Sequence, residues 1–269
     1  MELGIMDAVQ KRRIQKHQRA IQEAAKRKRA RQSHPANPKQ KLKKGNKVKH
    51  SLPVPEDIKA SEFNNECYIV GGGPSLTKFD WKKLDGKFVI AVNRSYEVLP
   101  DAQIVYFTDD DYWHRHTKGM LKHTGKKYRG RLARRAVIKH PAVLELQLQP
   151  QPSGWSDQFG ELYHGSNSGY ACIQVAAQLG FTTIYLLGFD MKHQGKYNRG
   201  AKNCKGTTHW HNGHKRIDPA TAYPMMLRHY KNMVAPIKKR NLTVININTP
   251  KGTALKCFPI KSFEEVFPS

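Results

Sequence analysis

The chain has 269 residues, 38% of them hydrophobic, and a formal net charge of +26; that is apolar material for one large or two small cores, on a surface suited to acidic partners. No apolar run reaches the roughly 18 residues that span a bilayer, and the N-terminus lacks the apolar stretch of a secretion signal, so the expectation is a cytoplasmic protein with no transmembrane segment. Cys67, Cys172, Cys204 and Cys257 are far apart and form no Cys-x-x-Cys pair, which argues for reduced thiols and against a disulfide framework or a cysteine knuckle.

Residues 1–55 read as a basic N-terminal arm and linker, and residues 56–269 as an α/β domain. Residues 1–60 carry 17 Lys and Arg against 5 acids, and residues 61–269 carry 30 against 16. From Asp7 to Gln32 Ala, Gln, Lys and Arg dominate and the aliphatic residues beyond alanine are Val9, Ile14 and Ile21: helix propensity without an apolar face to bury. Ser33 to Pro55 is a Pro-, Asn- and Lys-rich connection that cannot fold alone. Such an arm suits nucleic-acid phosphates or peripheral contact with an anionic membrane, and equally a solvated tail. It contains no aromatic residue, so base stacking is not indicated.

The first strand, Tyr68 to Val70, runs into Gly71, Gly72 and Gly73, followed by Pro74 and Ser75. Glycines without Cβ atoms can take positive φ and turn their N–H groups into one concavity, and Pro and Ser suit a helix start. An anion at that terminus would meet free donors and the helix dipole; the alternative is a tight turn with no ligand. Leu76 stands where a third spaced glycine would complete a dinucleotide fingerprint. Further strands are expected at Phe88 to Val92, Ile104 to Thr108, Ala136 to Lys139, Thr183 to Gly188 and Leu242 to Ile247, with amphipathic helices at Ser168 to Leu179 and Tyr223 to Arg240. This alternation predicts a Rossmann-like α/β fold, a mainly parallel sheet with flanking helices. Ligands of such sheets bind beyond the carboxyl ends of the strands, where this chain carries Gly71 to Ser75, Asn93 with Arg94, Asp109 to Asp111, and Asp190.

Three clusters need separate weighing. Asp109 and Asp111 at a strand end suit Mg²⁺ or Mn²⁺ held against a diphosphate; they also suit acceptor binding, proton abstraction or a solvated turn. Arg129 to Arg135 reads as an exposed basic face that, with the arm, favours an anionic acceptor. His209, His211 and His214 near Cys204 could ligate zinc, although their spacing matches neither a zinc finger nor a His-Glu-x-x-His helix; the segment otherwise reads as a lid with one catalytic histidine or as a polar loop.

The ordered set Gly71 to Leu76, Phe88 to Asn93, Ser168-Gly169 and Thr183 to Asp190, followed by His211-Asn212-Gly213-His214, resembles the bacterial sialyltransferases that use CMP-sialic acid and the related 6-hydroxymethylpterin diphosphokinase-like family. The resemblance covers roughly residues 66 to 248. It implies a nucleotide-sugar donor, with Gly71, Gly72, Gly73, Pro74 and Ser75 facing the nucleotide phosphate, Asn93 on the nucleotide or donor sugar, and Ser168 with Gly169 supplying hydroxyl and N–H donors beside the Asp190 strand end. It also implies His214 as the base on an acceptor hydroxyl and Tyr197 as support for the leaving phosphate. Two departures stand out: Gly165 replaces the family's arginine before the Ser-Gly pair, and Lys192 replaces a second active-site tyrosine. Lys192 would supply positive charge there, and the donor need not be CMP-sialic acid. The sequence therefore predicts a glycosyltransferase acting on a glycan or other anionic acceptor. The alternatives are a non-catalytic nucleic-acid-binding protein on the same fold and a diphosphokinase-like enzyme.

Overall fold

The computed structural model describes residues 52–195, 206–207, 209–210 and 219–268; residues 1–51, and with them nearly all of the expected arm, lie outside the described residues, as do Tyr197 and His214. The strands are β1 Glu66–Val70, β2 Val89–Val92, β3 Ile104–Phe107, β4 Lys126–Leu132, β5 Val143–Leu148, β6 Glu161–Leu162, β7 Thr183–Leu187, β8 Gln194–Gly195, β9 Gly206–Thr207, β10 Thr243–Ile247 and β11 Ile260–Lys261. The helices are α1 Asp110–Lys122, α2 Ser168–Gln178, α3 Pro219–Lys239 and α4 Phe263–Val266.

Nine strands form one sheet in the order β11-β10-β7-β1-β2-β3-β4-β5-β6, with every pairing in it parallel. β8 and β9 make a separate antiparallel pair. The chain runs outward from β1 to β6, crosses back through α2, and resumes beside β1 as β7. The order therefore reverses between β1 and β7, where Tyr68 pairs with Tyr185, and such a reversal opens a crevice at the carboxyl ends.

Both faces of the sheet are covered, so the strands are apolar on both sides. Cys67, Ile69, Ile104 and Tyr106 face α2 and α3. The alternate residues Tyr68, Val70, Val105 and Phe107 face Tyr112, Trp113 and Met120 of α1, together with Leu84 and Phe267. α2 buries eight of its eleven residues, Gly169 to Ala176; a helix apolar nearly all round belongs under other structure, not at the surface. Leu52, from the linker, packs on the first of these clusters.

The strands expected at Tyr68, Phe88, Ile104, Thr183 and Leu242 form, each within two residues of the expected bounds. The one expected at Ala136 to Lys139 does not: those residues have no regular structure, and β4 and β5 lie on either side of them. β4 has the sequence Lys-Lys-Tyr-Arg-Gly-Arg-Leu, which an apolar pattern cannot detect. Its central residue Arg129 is 0% exposed. Arg129 Nη1 donates to Glu145 Oε1 at 2.6 Å and to Ala136 O at 2.8 Å, and Nη2 donates to Asp110 Oδ1. Arg131 donates to the other oxygen of Glu145. The basic run is therefore not one exposed face: Arg129 is a core group tying β4, β5 and α1 together, and Arg134 and Arg135 are the exposed arginines of the run. No helix among the described residues is long and apolar enough to cross a membrane.

Candidate active site

A cavity of about 620 Å³ opens at the carboxyl ends of β1, β2, β3, β4 and β7. Gly71, Gly72, Gly73, Asn93, Asp109, Asp111, Ser168, Gly169 and Asp190, all singled out from the sequence, line it. Ser75 sits just behind the wall, held by Asp190. Lys192 does not line the cavity; its Nζ donates to Lys251 O at 2.9 Å.

The glycine loop works differently from the expected phosphate cradle. None of its three glycines has positive φ, and Gly73 is extended at φ −61° and ψ 145°. Their missing side chains make room for the protein itself: a Cβ on Gly73 would stand 2.5 Å from Gly188 O and 2.7 Å from the Asp190 carboxylate, and one on Gly72 would stand 2.4 Å from His209 Cδ2. Gly71 N donates to Leu187 O and Gly73 N to Gly188 O, which zips the loop to the end of β7. Trp210 N donates to Gly72 O at 2.8 Å and Trp210 Nε1 to Gly71 O at 3.3 Å. Among the described residues, only Gly72 in this loop keeps an N–H without a hydrogen bond for a ligand to use.

Asp190 takes the place the sequence reading assigned to an anionic ligand. Its carboxylate accepts from Ser75 N at 2.8 Å, Ser75 Oγ at 2.6 Å and Asn248 Nδ2 at 2.8 Å. It is 2% exposed. Burial raises its pKa, and the three donors oppose that shift. Asp190 thus closes the short helix Pro74–Leu76 with an internal carboxylate. Asp190→Asn would turn an amide N–H toward one of these donors; the expected cost is about 1–3 kcal/mol of stability, measured by urea unfolding.

The start of α2 is also more specific than the sequence suggested. Its N-cap is Asn167, whose side chain accepts from Tyr170 N and from Tyr230 OH at 2.9 Å. Ser168 Oγ lies 2.9 Å from Thr108 Oγ1, a hydroxyl pair linking the end of β3 to the helix on the cavity wall. Gly169 serves packing, since its Cβ would meet the Phe189 ring at 2.4 Å. Asn93 takes φ 53°, the left-handed region that Asn tolerates better than most residues.

Several lining residues were not expected: Thr108, Arg115, His116, His164, Asn167 and Tyr223. Arg115 and His116 lie on α1, a helix hidden in the sequence by its polar, aromatic-rich composition. His164 Nδ1 accepts from Ser166 N at 3.0 Å, which makes the neutral ring a donor at Nε2. Burial lowers its pKa, and His229 and Arg134 add to the effect. Tyr223 is pushed up to about 12 by burial and by the Asp190 charge, so it meets the cavity as a neutral phenol.

Comparison with known proteins places one solved structure beside this fold. The chain is similar to a sialyltransferase. That protein is the monofunctional α-2,3-sialyltransferase Cst-I from Campylobacter jejuni, 15% identical, with 78% of this chain and 83% of that one covered at a TM-score of 0.43. No family model and no curated protein matches the chain. Likeness at this level assigns no role to any residue, and the roles rest on the cavity.

The Asp109 to Asp111 run sits at the start of α1, with Asp109 as N-cap and Asp110 and Asp111 in the first turn, where carboxylates are favoured by the helix dipole. Asp110 is committed to Arg129. Among the described residues no three His, Cys, Asp or Glu side chains converge as metal ligands. Any cation on Asp109 and Asp111 would therefore draw further ligands from donor phosphates and water.

Proposed function

We propose that this protein is a glycosyltransferase that binds a nucleotide-activated sugar in the switch-point cavity and transfers the sugar to a hydroxyl of an anionic acceptor. One observation carries the reading: Gly71 to Gly73, Asn93, Asp109, Ser168 and Asp190, spread over more than a hundred residues of chain, line a single cavity at the reversal of a parallel sheet. A parallel sheet brings all its carboxyl ends to one edge, and ligands of this fold class bind in the crevice there, where the strand order reverses. The Gly72 N–H, the α2 N-terminus with the Ser168 and Thr108 hydroxyls, and the His164 Nε2–H are the donors proposed for the phosphate. Tyr197 keeps the role that the family resemblance gives it, support for the leaving phosphate, and the resemblance offers His214 as the base on the acceptor.

The test is calorimetric titration of the full chain with CMP, UDP, GDP and CMP-sialic acid, with and without Mg²⁺, followed by donor-hydrolysis assays. Binding of one nucleotide at micromolar to submillimolar concentration is expected, weakened about tenfold or more in Ser168→Ala with Thr108→Val. No binding at millimolar concentration of any nucleotide would defeat the reading. For the acceptor, removal of residues 1–55 should weaken binding to polyanions such as nucleic acid or phosphorylated glycans and flatten its salt dependence. An unchanged slope would mean that the arm takes no part.

A further inference from the structure

The cavity wall holds an imidazole backed by a carboxylate. His116 on α1 lines the cavity, and its Nδ1 lies 3.5 Å from Glu97 Oε1. The ring is wedged in place, stacked on Tyr112 at 4.5 Å and edge-on to Tyr96 at 6.4 Å. Glu97 is itself fixed by a two-pronged contact from Arg94, Nε to Oε1 at 2.8 Å and Nη2 to Oε2 at 2.6 Å. Among the described residues, His116 Nε2 makes no hydrogen bond. At 3.5 Å the pair is a charge contact and not a hydrogen bond; a carboxylate on that side of the ring favours the tautomer with its proton on Nδ1, which leaves the Nε2 lone pair to accept a proton.

The geometry points to His116, oriented by Glu97, as the general base of the cavity in place of His214, in a role that rests on the transfer reading above. In the step it serves, the acceptor O–H proton moves to His116 Nε2 while the acceptor oxygen forms a bond to the anomeric carbon of the donor. The bond from that carbon to the phosphate oxygen breaks, and its electron pair leaves with the nucleotide. Glu97 touches no substrate in this scheme and acts as a positioning residue. Around the ring stand Glu97, Arg94 and Tyr96 from the segment after β2 and Tyr112 and Arg115 from α1. Burial lowers the His116 pKa, with Arg94 and Arg115 adding to it and Glu97 opposing it, so the ring rests in its neutral, proton-accepting form at pH 7. His164 differs: its Nδ1 already accepts a backbone proton, and it meets the cavity as a donor.

Long-range ¹H–¹⁵N spectra of the histidine-labelled full chain, with His116 assigned by its loss in His116→Gln, test the arrangement directly. The expected neutral tautomer is Nδ1–H, opposite to the form favoured by free histidine, and Glu97→Gln should shift it toward Nε2–H. An Nε2–H tautomer in the wild type overturns the proposal. On the donor that turns over, His116→Gln should lower kcat about 100-fold or more with the donor KM changed less than twofold. Glu97→Gln should move the acidic limb of the pH profile. Unaltered kcat and pH profile in both variants, with turnover intact, would remove His116 from the chemistry and leave the transfer reading standing. No turnover with any donor would remove both.

Discussion

Glu145→Ala is expected to cost about 3–5 kcal/mol of stability, because it strips one of two carboxylate partners from a buried guanidinium and leaves Ile138 N without its acceptor. Arg129 is wholly inside, and Glu145 takes one hydrogen bond from it, one from Arg131 and one from Ile138 N at 2.7 Å. After the change, Arg129 retains Asp110 and Ala136 O in a region too dry to screen the lost charge, and Ile138 N loses its acceptor. For a domain of this size, the loss should appear as a fall of roughly 6–20 °C in Tm. The double variant Arg129→Met with Glu145→Leu should recover most of it, since replacing both members of a buried pair by apolar groups is often near neutral. A fall of under about 1 kcal/mol in Glu145→Ala would show that water reaches Arg129 and that the β4–β5 ion network does not hold the sheet together.

Gly165→Arg is expected to destabilise the protein by about 3 kcal/mol or more. Gly165 has φ 53°, a conformation that costs roughly 1–2 kcal/mol for a residue with a Cβ. A Cβ there would also stand 2.2 Å from Tyr170 Cγ and 2.4 Å from Cδ2, and the Tyr170 ring is fully buried, with its hydroxyl donating to Gly154 O at 3.0 Å. Overpacking of this kind adds about 1–3 kcal/mol. Urea unfolding of Gly165→Ala and Gly165→Arg measures both components, because Ala carries the strain and the clash without the charge. Equal stability of wild type and Gly165→Ala would mean that the turn before α2 rearranges freely.

Much of the sheet could be read from the chain because β1, β2, β3, β7 and β10 are short β-branched or aromatic runs, buried on both faces, and burial on both faces leaves a local mark. β4 left no such mark. Its stability comes from Glu145 and Asp110, 16 and 19 residues from Arg129 along the chain, and no window centred on β4 registers a partner supplied by another element. The helix α1 escaped notice for a related reason. Tyr112, Trp113 and Met120 form a thin apolar stripe that only the sheet above it makes coherent.

The candidate site divides in the same way. Which residues stand at the ends of strands was written in the sequence, since a glycine, Asn or Asp after an apolar run is a local signal. What those residues do there was decided by their distant neighbours. Asp190 reads as a ligand residue until Ser75 and Asn248 are seen to use its oxygens. The three glycines read as a phosphate cradle until Gly188, Asp190 and His209 are found against them. His116 carries no signal at all until the fold sets Glu97 beside it. By itself, then, the sequence determined the Rossmann-like class, the register of apolar segments and the set of strand ends that gather in one place, because periodicity and chain punctuation are local properties. Only the tertiary structure decided which charges are neutralised internally and which donors and bases remain open to a ligand, because charge pairing and hydrogen-bond satisfaction depend on groups that meet only after the chain has folded.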